Sequence, residues 1–308
     1  MRNSLEEKTW KTLIDRINGV GNGKCTPFLG AGTCHGLLPL GGEVARKWAA
    51  EYKYPFPDSS DLVKVAQYVA LNHDSMVPKE EILKILAEEG KAPDFKNPLQ
   101  PHRALADLPL PIYLTTNYDN LMTEALQYRR RDPKREICRW NKLVEKCPSV
   151  FKGKSKFQPT VANPVVFHLH GHSEFPESLV LTEDDYMDFL VNLSRPALMP
   201  PAIQAALEKT TLLFLGYRMA DWSFRVLMRG ISRLMEPSMR RMNVAVMLPP
   251  AEDEVSSSDS AETSQQKAQD YLDKYYDNLG IQVYWGTVSE FFADLKKRMN
   301  DAEKAAAS

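Results

Sequence analysis

The chain has 308 residues, 43% of them hydrophobic and 26% charged, with a formal net charge of −1. That length suits one large domain or two small ones around a sizeable core, and the balanced charge excludes a whole-molecule electrostatic bias toward nucleic acid or anionic membranes. No apolar run approaches the roughly 18 residues of a membrane-spanning helix. The first residues, MRNSLEEKTWKTLIDRI, are charged throughout and lack the apolar centre of a secretory leader, so a cytoplasmic protein is expected. The four cysteines, Cys25, Cys34, Cys138 and Cys147, form no C-x-x-C pair; free thiols in a reducing compartment are expected, and a zinc ribbon is not.

In chain order, Ser4 and Glu7 read as a capping box opening a helix whose apolar stripe is Leu5, Trp10, Leu13, Ile14 and Ile17. TPFLGAGTCHG reads as a short buried strand entering a glycine loop, and GEVARKWAAEY as a helix after it. Residues 54–108 read as an inserted helical module, with start signals at Ser60/Asp61 and Pro78. Strands and helices then alternate: PIYLTT before NYDNLMTEAL, PVVFHLHG and a short SLVLT run before EDDYMDFLVNL, TTLLFLGY before ADWSFRVLMRGISRL, then NVAVMLP, and IQVYW before SEFFADLKKRM. These strands are continuous apolar runs, the pattern of strands buried on both faces. The expected fold is therefore α/β: a Rossmann-like, mostly parallel, doubly wound sheet in a single domain over 1–308. Two segments interrupt the alternation. Residues 129–160 are basic and weakly patterned, either a solvated insertion or, through Trp140 and the Arg/Lys density, a docking surface for an acidic partner or nucleic acid. Residues 250–267 are rich in Ser, Asp and Glu and are expected to form a flexible loop.

Polar groups cluster where the buried strands end, which is where ligands bind in open α/β sheets. Gly30, Gly32 and Gly36 follow the first strand: Gly30 would permit a sharp turn and Gly32 a close approach of backbone to a diphosphate. The G-x-G-x-x-x-G spacing differs from the dehydrogenase fingerprint, and no strand ends in an acidic ribose anchor about 20 residues on, so a purely structural turn stays open. Asn117 and Asp119 end the second strand, where helix capping is an equally available reading for Asp119. His168, His170 and His172 alternate along the next strand and so share a face. Three histidines from one short strand converge poorly on a tetrahedral metal. His170, just before Gly171, is the best placed to face a cleft as a general base. Gly216 and Asp221 follow the strand TTLLFLGY, Asp221 serving equally well as a helix cap.

As an ordered set, TPFLGAG, LTTNYDNL, HLHG, SLVLTEDDY, FLGYRMAD and YWGTVSEFFADL resemble the sirtuin-like superfamily, and in particular its bacterial NAD-hydrolysing branch from antiphage defence systems. The resemblance spans roughly residues 24–299. It implies a Rossmann-like NAD-binding domain in which Gly30, Ala31 and Gly32 match the diphosphate loop, with Thr33 and Cys34 continuing the site and Cys34 standing where the family often has serine. It implies that Asn117 and Asp119, preceded by Thr116, match the Asn-x-Asp pair, that His170 matches the catalytic histidine, and that Gly216 and Asp221 match a later loop on the nucleotide. NAD would be the substrate, with neither cofactor nor zinc. The family's activity would make the chain a toxic effector of abortive infection. Such an effector is expected to assemble with itself and with a partner such as a HerA-type ATPase or another phage sensor, for instance a short Argonaute. Nucleic acid would be reached only through that partner or the basic insertion, and no membrane is involved. A non-catalytic NAD or ADP-ribose sensor is the alternative; a protein deacylase, which carries a zinc ribbon in this family, is a weaker one.

The chemistry fits the residues. Nicotinamide leaves from a cationic N-glycoside without needing a general acid, through a transition state of oxocarbenium character. Orientation, charge stabilisation and a water suffice. Asn117 would hold the water or a ribose hydroxyl, His170 would polarise it, and Asp119 would fix the ribose or orient a neighbour.

Overall fold

The computed structural model describes residues 5–19, 24–152, 157–193, 198–217, 242–250 and 261–307. Its centre is a seven-stranded sheet, all parallel, in the order β3-β4-β2-β1-β5-β6-β7. The strands are β1 (Cys25–Leu29), β2 (Ile112–Thr115), β3 (Lys134–Ile137), β4 (Val165–His168), β5 (Thr211–Leu215), β6 (Asn243–Met247) and β7 (Ile281–Trp285). Helices α1 (Glu7–Ile17), α2 (Gly41–Glu51), α3 (Leu62–Asn72), α4 (Val77–Glu89), α5 (Pro101–Asp107) and α6 (Leu121–Tyr128) precede β3. After β4 come α7 (Glu183–Leu193), α8 (Pro201–Lys209), α9 (Ala261–Asp277) and α10 (Val288–Ala307).

Successive strand residues point to opposite faces, and both faces are covered. On one, Phe28, Phe167 and Phe214 meet Phe189 of α7, Leu207 of α8 and Tyr276 of α9. On the other, Leu29, Tyr113 and Leu215 meet Trp10 of α1, Leu126 of α6 and Phe291 of α10. This two-sided burial is why the strands carry no polar alternation. The α/β, doubly wound reading of the sequence is thus the observed fold.

Helices α2, α3 and α4 share a third core: Val44 and Trp48, Val65 and Ala66, and Ile82 pack with Leu179 and Leu181. The helical cluster therefore recruits α2, while α5 leaves it, because Ala104 and Leu105 bury against the second sheet face. A buried ion pair ties the cluster to the body. Lys79 Nζ of α4 lies 2.8 Å from Asp185 Oδ1 of α7 and over the Trp140 ring; the second oxygen of Asp185 accepts the Leu181 and Thr182 amides.

Several local expectations are corrected. Helix α1 starts at Glu7, with Glu6 at the cap position and no side-chain cap, and Glu7 pairs with Arg298; Ser4, the other half of the expected capping box, lies outside the described residues. Leu179–Leu181 is buried but forms no strand. The basic segment contributes the edge strand β3, which its charges concealed: Arg135 is tied to Asn120 and Glu174, and Arg139 to the buried Glu136 and the Cys147 and Pro148 carbonyls. Trp140 is only 5% exposed and donates to the Ser178 carbonyl, so it offers no stacking platform to nucleic acid. Within 250–267, residues 261–267 are the first turns of α9, favoured by Ala, Gln and Lys; residues 251–260 lie outside the described residues.

The sheet's direction of winding reverses at β1, which pairs with β2 on one side and β5 on the other. At the carboxyl end of β1 the three following loops are in contact. The Gly32 amide donates to Gly216 O at 2.9 Å, and a Cβ on Gly32 would lie 2.8 Å from Gly216. Gly216 has φ +74°, and a Cβ there would lie 2.4 Å from the Thr33 nitrogen. Gly216→Ala should therefore destabilise the chain by roughly 1–3 kcal/mol. Gly42→Ala, in helix α2 with no atom nearer than 3.5 Å to the added methyl, should be neutral or stabilising. Urea denaturation midpoints of the two variants test the contrast.

Candidate functional site

The glycine loop is built differently from a sharp glycine turn. Gly30 is extended, with φ −115° and ψ 178°, and its missing side chain makes room for the Tyr217 ring, which would be 2.8 Å from a Cβ. The turn itself is the short 3-10 segment Ala31–Cys34, closed by Thr33, whose amide and hydroxyl both donate to Gly30 O. Ala31 is exposed and Gly32 half-buried, whereas Thr33 and Cys34 are buried. The loop thus exposes Ala31 and turns the Thr33 and Cys34 side chains inward.

Asn117 reaches this loop from β2. Its Nδ2 donates to Gly30 O at 3.2 Å, Thr33 Oγ1 at 3.3 Å and Cys34 Sγ at 3.2 Å. The amide nitrogen is held by these contacts, and Oδ1 has no hydrogen bond among the described residues. Asn117 is half-buried, so that oxygen is an acceptor available to a ligand. Its backbone is fixed as well: the amide donates to Thr115 Oγ1, and the carbonyl accepts from His168 Nδ1 at 3.1 Å.

Both carboxylate oxygens of Asp119 are bonded within the chain. Oδ1 accepts the Leu121 amide at 2.8 Å and caps α6, while Oδ2 accepts the Cys34 thiol at 3.3 Å. Burial and the neighbouring carboxylate push the Cys34 thiol well above its usual pKa, so it is a neutral hydrogen-bonding group and not a reactive thiolate. All four cysteines are free. Thr116 donates its amide to Leu29 O and lies 3.0 Å from the Tyr217 hydroxyl. Gly216 closes the same corner. Asp221 lies outside the described residues.

Of the three histidines expected on one face, His168 and His172 meet edge to face with ring centres 4.6 Å apart, whereas His170 turns elsewhere. Strand β4 ends at His168, and Gly171, with φ +87°, bends the chain after it; a Cβ at Gly171 would sit 2.2 Å from Ser178 O. His172 accepts the Glu174 amide at Nδ1, so its Nε2–H donates to Asn120 Oδ1 at 2.9 Å, a turn-stabilising role. His168 donates from Nδ1 to Asn117, which leaves Nε2 buried without a partner. His170 turns into an aromatic wall, its ring 5.2 Å from the rings of both Tyr186 and Phe189. It has no hydrogen bond to Asn117 or to the glycine loop, and its ring nitrogens have no partner among the described residues. Burial lowers its pKa to about 3, so the imidazole is neutral at physiological pH.

Tyr217 and His102 escaped the sequence reading, and His168 entered it only as one of three alternating histidines. Tyr217, just after β5, packs its ring against Gly30 and its hydroxyl against Leu29 O and Thr116 Oγ1. His168 holds the Asn117 backbone. His102 of α5 places Nε2 3.9 Å from Cys34 Sγ. Among the described residues Cys34, His102 and Asp119 are the one group of metal-ligating type whose donor atoms all lie within 4.8 Å of one another. The signal for His102 was available: a histidine following Pro101 on the apolar side of QPHRALADL, directly upstream of β2. A shallow groove of about 470 Å³ elsewhere, lined by Tyr54, Phe56, Lys64, Tyr68 and Leu71 among others, shares no residue with this constellation.

Known proteins resemble this arrangement in sequence. The model of the SIR2-like domain family matches residues 111–279, more than half of the chain and the portion that carries Asn117, Asp119, His170 and Gly216. The chain belongs to the SIR2-like domain family. It is 28% identical to the NAD(+) hydrolase ThsA of Acinetobacter baumannii (strain 532279) over 241 residues, 76% of this chain and 45% of that protein. It is 25% identical to the NAD(+) hydrolase ThsA of Enterococcus faecium over 75% of this chain and 45% of that protein. It is 28% identical to the ThsA of Bacillus cereus (strain MSX-D12) over 59% and 34%. The chain thus spans less than half the length of these curated relatives. No helix among the described residues is long and apolar enough to cross a membrane.

The buried histidines make stability depend on pH. His168 is held at about 4 and His170 at about 3, against roughly 6.5 in an unfolded chain. The unfolded state therefore binds more protons below 6.5, and stability falls as pH drops. Their contribution is complete above pH 6.5 and is lost progressively toward pH 4, by about 1.4 kcal/mol per pH unit for each histidine. Urea denaturation at pH 7.5 and at pH 5.0 should show this loss, and His170→Phe should reduce the difference.

Proposed function

We propose that the chain is an NAD hydrolase that releases nicotinamide and ADP-ribose in the crevice between the loops after β1, β2 and β5. The observation that carries this reading is the Asn117 amide: its nitrogen is bonded into the glycine loop and its oxygen is left open at the topological switch point of the sheet. Ala31, the exposed residue of the loop, would line the diphosphate, while the Gly32 amide and carbonyl are already bonded to Gly216 and His35. Asn117 Oδ1 would accept from the attacking water or from a ribose hydroxyl of the nicotinamide-bearing sugar, close to the carbon that gains positive charge. Asp119 would act through its capped, thiol-bonded carboxylate, placing its charge on that side of the crevice. His170 would enter as a neutral imidazole whose unpaired nitrogens orient a hydroxyl or water, since burial keeps it unprotonated. The names of the relatives support NAD as substrate.

We read the biological role as that of a toxic antiphage effector acting in the cytoplasm. It would be restrained by assembly with further copies of itself and with a sensor such as a HerA-type ATPase. Its support is the ordered motif set. The single domain read over 1–308, with its helical cluster, would be the catalytic unit, working without a cofactor or zinc.

Incubation of the purified chain with NAD, followed by measurement of free nicotinamide, tests the activity. Asn117→Ala and His170→Ala should each lower turnover by at least about 10²-fold while keeping the native circular dichroism. Full turnover in both folded variants removes this mechanism. Tight NAD binding without nicotinamide release by the unaltered chain would mark a sensing module.

A further inference from the structure

Gln100 stands at the cap position of α5, and its Oε1 accepts the Arg103 amide at 2.7 Å. That bond determines which end of the side-chain amide faces inward. Its Nε2 lies 3.0 Å from His102 Nδ1. An amide NH2 can only donate, so Nδ1 accepts, and the neutral ring carries its proton on Nε2. Burial of His102, which is 1% exposed, favours the neutral form, although Asp119 opposes this. The Nε2–H points toward Cys34 Sγ, 3.9 Å away. The sulfur also accepts from Asn117 Nδ2, and the thiol hydrogen goes to Asp119 Oδ2. Each donor in this series has an acceptor, and the series runs from the start of α5 to the amide of Asn117.

The same three donor atoms could be read as metal ligands. The Sγ–Oδ2 separation of 3.3 Å and the Sγ–Nε2 separation of 3.9 Å resemble those around a tetrahedral zinc, about 3.3–3.8 Å from its bond lengths. Gln100 decides between the two readings. A metal-bound Nε2 needs its proton on Nδ1 and an acceptor facing that nitrogen. Here Nδ1 faces a donor.

We propose that Gln100 and His102 are positioning residues: Gln100 imposes the Nε2–H tautomer on His102, and this holds Cys34 and Asp119 in the arrangement that keeps Asn117 Nδ2 turned inward and its oxygen outward. The inference rests on the reading of the Asn117 crevice as the reaction site. Neither residue touches the reacting atoms, and the triangle of Cys34, His102 and Asp119 is not a metal site.

The test uses the full chain with 15N-labelled histidine and asparagine. In the unaltered protein, His102 shows a bare Nδ1 and a protonated Nε2, and equimolar Zn(II) leaves these signals in place. Gln100→Glu keeps the acceptor for Arg103 but offers Nδ1 a second acceptor, so Nδ1 becomes protonated and the Asn117 side-chain NH2 signals move. In the same variant kcat for nicotinamide release falls roughly 10–100-fold, the range typical when an outer hydrogen-bond partner is lost, while KM for NAD changes less than about twofold. His102→Leu shows the same loss. His102→Gln restores most of kcat and the native Asn117 signals, because its amide nitrogen reaches the place of the imidazole Nε2. A protonated Nδ1 in the unaltered chain, zinc captured at His102, or native kcat and native Asn117 signals in both Gln100→Glu and His102→Leu would overturn the proposal. If the unaltered chain releases no nicotinamide, the hydrolase reading fails by itself, and the His102 and Asn117 signals still decide the positioning role.

Discussion

One carbonyl organises the candidate site. Leu29 O, at the end of the central strand, accepts the Thr116 amide at 3.0 Å and the Tyr217 hydroxyl at 2.9 Å, with the Thr115 and Thr116 hydroxyls at 3.3 and 3.4 Å. These bonds join the chain ends of β1, β2 and β5 at the place where the sheet changes its direction of winding. The next residue extends the junction, for the Gly30 amide donates to Leu215 O. The glycines then follow from packing: Gly30 yields to Tyr217, and Gly32 and Gly216 yield to each other. A buried carbonyl needs partners, and here the partners are the loops that bear the candidate site residues. The geometry of this corner is consequently a property of the sheet and not of a free loop, which is what a preorganised site would require.

The glycine positions carry a double meaning as a result. Sequence spacing suggests that Gly32 admits a diphosphate, yet the space its Cβ would fill is held by Gly216. Ala31 stays exposed on the outer side of the loop, while the Gly32 backbone is bonded inward to Gly216 and His35. Asp119 behaves likewise, with one carboxylate oxygen capping a helix and the other bound to a thiol. In both cases the bonds seen are internal to the protein, and they fix the residues at the carboxyl edge of the sheet.

Much of this was legible in the sequence, for a physical reason. Strands buried on both faces are written as runs such as PVVFH and TLLFL, and the polar residues after them mark the carboxyl edge of the sheet, so the fold and the place of Gly30, Asn117 and Gly216 could be read directly. Strand β3 could not, because KREI sits at a sheet edge where charged side chains reach solvent or local partners. The histidines misled through their period. Alternation places residues on one face only while the strand continues; β4 ends at His168, the chain turns at Leu169 and His170, and Gly171 bends it further. His102, Gln100 and Tyr217 were hidden because their significance lies in contacts between segments far apart in the chain, which spacing does not encode.

The central claim is that a single NAD molecule occupies the crevice formed by the β1, β2 and β5 loops, with its scissile sugar at Asn117. A crystal structure of the Asn117→Ala chain grown with NAD tests it most directly, because slowed turnover would retain the intact dinucleotide. The account predicts density for the diphosphate along Ala31–Thr33 and for the nicotinamide-bearing ribose beside position 117, within reach of His170. Dinucleotide density elsewhere, for example in the groove lined by Tyr54 and Tyr68, with the Gly30–Gly216 corner empty, would contradict it.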